Sequence, residues 1–491
     1  MNALGLGKVV AKALVWTSLE SFALSGLSLI SLLIFARLLS AEQFGVVAIA
    51  LAIVQVLTVP VELMFHDALI QRTDVEDIHV NSAFTVSVVL GTVLCASCWL
   101  LADLAAVWTG EPRLAEVLRY MSFSLVGTGF GGVLVAMQRR KLQFRSLALR
   151  SMVGRLGSAV IALTLAFMGA GLWSLVAQQV LLVCLATLML WLLSDDRPRF
   201  QFAWAPTRDL LRYGAFSTAY VLLLIFTSRV FMVLVGAFLG TQRAGLLNIA
   251  FRGLDMLRDL LIGAVSQIAM PLFSRLREDG KVLFDAYTRS IQLTTLCVYP
   301  VFVGLAACSD EVVEVAFGSQ WAGAAPYFAV IALLCLETFL RMCGAAMVQA
   351  LGRPGMVSLQ VIAQAVFVIV GMYFVGRLSA FHALAVWSAR LLVSLPIDAW
   401  VVRRVTGLGV ADQLRGAWVP TVAAFVMGGV VLAAKHNLLS ALSPVVRLVP
   451  LALIGLVSYT ALVWLLDRKL VVELSGFVRQ FLKRRASAPQ A

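Results

Sequence analysis

The stretch ARLLSAEQFGVVAIA, at residues 36–50, ends one strongly apolar segment, makes a short polar corner and begins a second segment. At residues 236–250 the chain reads GAFLGTQRAGLLNIA, and the two stretches share Leu, Gly, Ile and Ala at equivalent positions. A corner that recurs in the same form indicates a chain built from two similar sets of helices.

The composition excludes a water-soluble fold. Of the 491 residues, 61% are hydrophobic and 13% are charged, and the mean hydropathy is +0.94. Soluble domains are roughly 45–50% apolar and about 25% charged. We therefore expect an all-α membrane protein. Although the net charge is +13, no soluble basic domain carries it, so we expect no nucleic-acid partner.

Apolar stretches of about 20 residues predict about fourteen transmembrane helices. Their predicted bounds are 14–36, 44–64, 83–107, 117–137, 148–169, 172–193, 214–237, 245–269, 289–308, 326–350, 356–376, 382–402, 418–434 and 446–466.

The loops between these spans predict the orientation. Basic loops such as QRRKLQFRSLALR and VVRRVTG follow even-numbered spans, and the opposite loops contain few Lys or Arg residues. Because cytoplasmic loops are enriched in Lys and Arg, we expect a multi-pass protein of the bacterial inner membrane with both termini in the cytoplasm. The acidic loop HDALIQRTDVEDIH after the second span is an exception.

The longest loop divides the chain. We predict a six-helix lobe at 1–193, a cytoplasmic connector at 194–213, a second six-helix lobe at 214–405, two additional helices at 406–466 and a basic tail at 467–491. An even number of spans gives both lobes the same orientation, so they are parallel repeats in this interpretation. Two lobes with a site between them are typical of a transporter.

Charged side chains within the spans need a physical reason, because each costs roughly 2.5–3.5 kcal/mol at the membrane centre. Arginines outnumber acids near the two corners, which favours a cavity that binds an anion, since guanidinium binds phosphate with two parallel hydrogen bonds. The predicted substrate-binding residues are Arg37, Arg229, Arg252 and Arg258.

Other intramembrane charges have different predicted roles. The candidates for ion coupling are Glu20, Asp255 and Asp259. The predicted structural ion pairs are Glu337 with Arg341, four residues apart on one helix, and Arg390 with Asp398.

Motifs of catalysis are absent from the sequence. It contains no GxxxxGK[ST] phosphate loop, no HExxH and no GxSxG element. Its seven cysteines lie in apolar segments and are interpreted as packing residues. We expect no enzymatic activity, no cofactor and no metal.

Several short motifs, in this order along the helices, resemble a known family: ARLLSAEQFG, LIQRTD, AFLGTQRAGLLNIAFR, PLFSRLREDG, FGSQWAGAAPYFAVIAL and ALGRPGM. The resemblance, over about residues 10–405, is to the polysaccharide repeat-unit flippases (O-antigen and exopolysaccharide) of the multidrug/oligosaccharidyl-lipid/polysaccharide exporter superfamily. In one departure, the seventh span (SRVFMVLVGAFLG) has no acid where relatives often have Asp.

The resemblance implies a V-shaped pair of lobes that exports undecaprenyl-pyrophosphate-linked oligosaccharide for lipopolysaccharide, capsule or exopolysaccharide assembly. It implies a cationic cavity, which on this chain means Arg37, Arg229, Arg252 and Arg258, and partners that include membrane lipids, a polysaccharide polymerase and glycosyltransferases. The alternatives are a peptidoglycan-precursor flippase, a multidrug extruder on the same scaffold, and a membrane glycan polymerase.

Overall fold

The computed structural model describes residues 26–72, 74–275, 280–351, 358–439 and 442–468. Within these ranges every regular element is a helix. The α-helices, numbered along the chain, are α1 (Gly26–Leu38), α2 (Ala41–Leu63), α3 (His66–Gln71), α4 (Asp77–Thr109), α5 (Arg113–Arg140), α6 (Phe144–Phe167), α7 (Leu172–Leu193), α8 (Trp204–Leu239), α9 (Thr241–Arg275), α10 (Gly280–Ala307), α11 (Ser309–Phe317), α12 (Ala325–Ala350), α13 (Ser358–Phe374), α14 (Ala380–Ala389), α15 (Leu391–Thr406), α16 (Val410–Leu414), α17 (Trp418–Asn437) and α18 (Pro444–Leu466).

Eleven of the described helical segments are long and apolar enough to cross a membrane, and each overlaps one predicted span. The other three predicted spans fall on α1, on the long charged helix α9, and on α13, whose apolar part is the short stretch Val361–Phe374. The all-helical membrane class is therefore confirmed, and the number of fourteen transmembrane helices stays a prediction.

The first corner ends α1 and begins α2 through a capping box. The Ser40 hydroxyl accepts a hydrogen bond from the backbone N–H of Gln43 at 3.3 Å, and the Gln43 side chain accepts one from the Ser40 N–H at 3.1 Å. These bonds satisfy two backbone donors that a helix start leaves without an intrahelical partner. The polar residues of the corner thus define the start of α2.

A crossing of α2 and α9 at Gly45 and Gly245 explains why the two corners are similar. A Cβ atom on Gly45 would overlap the carbonyl oxygen of Thr241, and a Cβ atom on Gly245 would overlap that of Ala41. Each Cβ would also lie 3.1 Å from the backbone nitrogen of the other glycine. Thr241 is the equivalent of Ala41 in the second corner, so the contact is reciprocal. Only residues without a side chain allow two backbones to approach this closely.

Charged residues reinforce the same corner. The Arg113 guanidinium pairs with Glu42 on α2 and donates a hydrogen bond from Nε to Glu111 Oε1 at 2.8 Å. Glu111, which is buried, also accepts a hydrogen bond from the Thr241 hydroxyl at 3.3 Å. The hydrogen bond from Arg113 is the main cause that lowers the pKa of the Glu111 carboxyl, so this carboxylate is ionised at neutral pH.

The described residues form two compact units. One contains the described residues up to Met256 together with Ser358–Ser394, and the other contains the remaining ones. The first unit has a core around Phe84 that packs α3, α4, α5 and α8, and the second has a core around Phe273, Tyr287 and Met347. The predicted lobe boundaries at 1–193 and 214–405 stay a prediction.

In the second unit an ion-pair network fixes the last two helices to the short helix α11. The Lys435 ammonium lies 2.7 Å from Asp310 and 2.9 Å from Glu311, and the Arg447 guanidinium lies 3.1 Å from Glu311. Glu311 is only 1% exposed, so two cations neutralise one buried carboxylate. Lys435 and Arg447 flank the loop between α17 and α18, on the side predicted to be external, where basic residues are scarce.

Candidate functional site

A polar cavity lies inside the first unit between α1, α2, α6, α7 and α9. We call it cavity A. Its volume is about 180 Å3. Its polar lining consists of Ser28, Ser31, Arg155, Ser158, Gln178, Gln179 and Arg252. One of the four arginines predicted to bind an anion, Arg252, therefore faces this cavity. Arg155 on α6 faces it as well, and sequence reasoning missed this residue.

Three arginines at or beside cavity A have no carboxylate partner in the part of the chain that the structure describes. Arg155 is exposed, whereas Arg229 and Arg252 are partly buried. Among the residues that the structure describes, no carboxylate oxygen lies within 4.0 Å of these three guanidinium groups, and the Nε atom of Arg229 is buried without a hydrogen-bond partner. Arg229 and Arg252 repel each other, and each is attracted by the charge of Asp255.

The three arginines lie at similar distances from the predicted external ends of their helices. Arg229 lies ten residues before the end of α8, Arg252 lies eleven residues after the start of α9, and Arg155 lies twelve residues before the end of α6. At a rise of 1.5 Å per residue, each is about 15–18 Å from the external end of its helix in the predicted orientation. The three cations therefore occupy nearly the same level of the membrane.

A buried hydroxyl at cavity A also lacks a partner. Ser31 on α1 is 3% exposed, and its Oγ atom has no hydrogen-bond partner among the described residues. A buried polar atom without a partner costs about 1–3 kcal/mol, so such atoms are rare unless a ligand or water satisfies them. Ser31 and the two arginines that line the cavity indicate a ligand that accepts several hydrogen bonds.

A second cavity adjoins the first and shares Arg155 and Leu182 with it. We call it cavity B. Its volume is about 240 Å3 and it lies between α2, α5, α6 and α7. The polar side chains that line it are Thr58, Glu62, Thr128, Arg150, Ser151, Arg155 and Thr187. Sequence reasoning missed this group too, because Arg150 was counted within a basic cytoplasmic loop, whereas α6 already begins at Phe144.

The remaining predicted cationic residues have other surroundings. Arg258 lies in the second unit, and its guanidinium is 3.1 Å from the carboxylate of its neighbour Asp259. Arg37 is exposed at the end of α1. Of the predicted ion-coupling acids, Asp255 lies on α9 beside Arg252, and Glu20 lies outside the described residues. The roles proposed for these residues stay predictions.

The residues of one predicted structural pair, Glu337 and Arg341, lie where α12 meets α15 within the second unit, and the pairing of Arg390 with Asp398 stays a prediction. Glu337 and Arg341 are 3.2 Å apart, and the Arg341 guanidinium also lies 2.6 Å from Asp398. Arg341 thus bridges two acids. Arg390 lies with its guanidinium 3.9 Å from the centre of the Trp387 ring, a cation–π distance. This cluster contrasts with cavity A, because here carboxylates neutralise the cation.

The sequence of the chain matches that of a known protein family. The family described as "Polysaccharide biosynthesis protein" matches residues 34–326, which is more than half of the chain. The chain belongs to this family. The match contains both corners and four of the arginines at the two cavities, so the candidate site lies inside the region that matches the family.

The curated relatives of this chain are named for the biosynthesis of several polysaccharides. The succinoglycan biosynthesis transport protein ExoT of Rhizobium meliloti (strain 1021) is 29% identical over 99% of this chain and 98% of its own length. The lipopolysaccharide biosynthesis protein WzxC of Escherichia coli (strain K12) is 24% identical over 67% of each chain. The teichuronic acid biosynthesis protein TuaB of Bacillus subtilis (strain 168) is 20% identical over 84% of this chain and 82% of its own.

Two solved structures share the fold of this chain. The lipid II flippase MurJ in an inward closed conformation superposes with a TM-score of 0.76 at 14% identity, covering 93% of this chain and all of that one. An inward-facing multidrug resistance transporter of the MATE family superposes with a TM-score of 0.57, also at 14% identity, over 86% of this chain and 99% of that one. The exporter-superfamily fold that the motifs predict is confirmed, and at this identity the likeness concerns the fold alone.

Proposed function

We propose that the protein is a flippase that moves undecaprenyl-pyrophosphate-linked oligosaccharide repeat units across the bacterial inner membrane for lipopolysaccharide, capsule or exopolysaccharide assembly. The observation that carries the proposal is a group of three arginines at one level beside cavity A, Arg155, Arg229 and Arg252, which have no carboxylate partner among the described residues.

The charge of this group selects the ligand. A cation within the membrane costs several kcal/mol unless it is paired or hydrated, so a group of cations without carboxylate partners among the described residues indicates a functional site. A diphosphate supplies the missing negative charge and several acceptor oxygens, and guanidinium binds each phosphate with two parallel hydrogen bonds. The hydroxyl of Ser31, which has no hydrogen-bond partner within the described ranges, adds one more donor at the same cavity.

The direction of transport follows from the sign of the charge. The basic loops predict that both termini are cytoplasmic. Because the bacterial interior is negative, an anion that moves outward gains about 2.3 kcal/mol per elementary charge at 100 mV. The names of the three relatives, which concern three different polysaccharides, support a lipid-linked glycan as cargo and membrane lipids, a polymerase and glycosyltransferases as partners. We infer that the protein itself catalyses no reaction.

Alternatives on the same scaffold differ in the cargo. A multidrug extruder that exports organic cations requires acids at its cavity, whereas the charge around cavity A is positive. A peptidoglycan-precursor flippase requires the same pyrophosphate site and differs in the sugar. A glycan polymerase requires a catalytic loop, and each external loop predicted from the sequence is short.

A deletion strain of the host organism separates these alternatives. Loss of the gene should abolish one surface polysaccharide and leave its lipid-linked unit on the cytoplasmic side, where externally added glycosidases do not reach it. The double variant Arg155→Gln/Arg252→Gln should fail to restore the polysaccharide at normal membrane abundance. The control Arg145→Gln changes an exposed arginine at the start of the same helix α6 and should restore it fully. Normal polysaccharide production by the double variant would contradict the proposal.

A further inference from the structure

We propose that cavity B binds the sugar residue attached directly to the pyrophosphate, while the arginines of cavity A hold the pyrophosphate itself. This inference rests on the proposed function and adds a carbohydrate site that neither the sequence motifs nor the relatives assign.

An acidic and a basic side chain, Glu62 and Arg150, face cavity B without forming an ion pair with each other. The carboxylate of Glu62 and the guanidinium of Arg150 attract each other electrostatically, but no ion pair within 4.0 Å joins them. Neither group has another hydrogen-bond or ion-pair partner among the described side chains. The gap between them therefore leaves room for a bound group that accepts hydrogen bonds from Arg150 and donates them to Glu62.

The hydroxyl groups of cavity B increase its acceptor character. Thr58, Thr128, Ser151 and Thr187 each donate their hydroxyl hydrogen to a backbone carbonyl oxygen, at 2.8, 2.9, 3.0 and 3.0 Å. Since a hydroxyl carries one donor and two lone pairs, these four oxygens offer only acceptor capacity to a ligand. The wall of cavity B thus combines acceptors from five side chains with guanidinium donors.

This combination fits a sugar and does not fit a second anion. A sugar hydroxyl both donates and accepts hydrogen bonds, so it can bond to a carboxylate or a threonine oxygen and also to a guanidinium. A phosphate or carboxylate group only accepts, so it could bond to Arg150 and Arg155 but would leave Glu62 and the four hydroxyl oxygens without a donor. The volume of about 240 Å3 is many times the roughly 10–15 Å3 that a single water requires.

The two cavities are arranged as a glycosyl pyrophosphate requires. Arg155 faces both cavities, and Arg150 faces only cavity B, five residues earlier on α6. At 1.5 Å per residue, the two Cα atoms are about 7.5 Å apart along the helix axis. A ligand whose pyrophosphate contacts Arg155 and Arg252 therefore extends its first sugar toward Arg150 and Glu62, on the predicted cytoplasmic side of the arginine group.

A binding experiment tests this division with two synthetic ligands. The full-length protein in lipid nanodiscs would be titrated with farnesyl pyrophosphate and with a farnesyl-pyrophosphoryl hexose. We expect wild-type protein to bind the glycosylated ligand more tightly. Glu62→Gln and Arg150→Gln should each weaken binding of the glycosylated ligand about tenfold, because a hydrogen bond to a charged group is lost, and change binding of farnesyl pyrophosphate less than twofold.

Two variants outside the cavities serve as controls. Arg145→Gln and Glu116→Gln change exposed residues outside both cavities and should alter neither affinity. Thr58→Val, which keeps the shape and the charge, repeats the test if a charge variant does not fold. If Glu62→Gln tightens both ligands equally, cavity B is an anion site and the inference is overturned. If every variant binds both ligands as the wild type does, the inference alone fails. If the wild type binds neither ligand, the proposed function fails with it.

Discussion

Replacing Arg252 by alanine should weaken binding of a pyrophosphate ligand without destabilising the protein. The guanidinium lines cavity A and has no carboxylate within 4.0 Å among the described residues. A hydrogen bond to a charged group contributes about 1.5–3 kcal/mol, and a loss of about 2 kcal/mol raises the dissociation constant roughly 30-fold. The attraction between Arg252 and Asp255 is lost, but Asp255 remains attracted by Arg229 and the repulsion between Arg252 and Arg229 is removed, so we expect the free energy of unfolding to stay within about 1 kcal/mol.

Arg341→Ala is the matched comparison, because it removes an arginine that is neutralised. It leaves Glu337 and Asp398, whose side chains are 10% and 23% exposed, without the guanidinium between them. Breaking a buried pair by removing one partner costs about 3–5 kcal/mol, and partial exposure of this cluster favours the lower end. We expect a clear loss of stability without a direct effect on ligand affinity.

Both variants would be measured in nanodiscs by thermal unfolding and by titration with farnesyl pyrophosphate. The two variants should separate: Arg252→Ala loses affinity at wild-type stability, and Arg341→Ala loses stability at near wild-type affinity. If Arg252→Ala unfolds as readily as Arg341→Ala and retains its affinity, Arg252 has a structural role and the assignment of cavity A to an anion is wrong.

Three further predictions concern the packing contacts. Lys435→Met should destabilise the protein by about 2–3 kcal/mol in thermal unfolding, because Glu311 loses one of its two cations, and Glu311→Gln should cost more, because Lys435 and Arg447 then both lose this buried carboxylate. Gly245→Ala should sharply reduce the yield of folded protein in size-exclusion chromatography, since its Cβ overlaps a backbone oxygen of α2, whereas Gly304→Ala, whose Cβ has no heavy atom nearer than 4.0 Å, should be tolerated. Because its arginine partner lowers the pKa of Glu111, this carboxylate contributes its full stabilisation above its unfolded pKa of about 4.3 and loses it as pH falls through the lower folded value. The difference in melting temperature between wild type and Glu111→Gln should therefore stay constant from pH 7 down to about pH 4.3 and shrink below that pH.

Much of the fold could be predicted because lipid imposes a simple rule on sequence. A span must be apolar over about 20 residues, and the eleven segments that satisfy this in the structure overlap predicted spans. The glycines of the repeated corner were visible in the sequence as an echo. The sequence did not show why these glycines are required, because a backbone–backbone contact between distant residues leaves no periodic signal.

The candidate site was predicted only in part. Arg229 and Arg252 stand out because they interrupt apolar spans. Arg150 did not stand out, because it follows Arg139, Arg140 and Arg145 and was absorbed into a basic loop that the orientation rule already explained. A signal was available: a helix that starts at Phe144 carries Arg150 into its second turn, and only the helix start decides between loop and cavity.

The reciprocal crossing of α2 and α9 limits how the protein can change. In ordinary helix packing a larger residue on one side can be offset by a smaller residue on the other. Here a methyl group on either glycine would overlap a main-chain oxygen, and no side-chain substitution elsewhere can remove that atom. A side chain added at position 45 therefore cannot be compensated by a substitution at position 245, or the reverse. At this contact, sequence change in one half of the chain cannot be compensated by change in the other half.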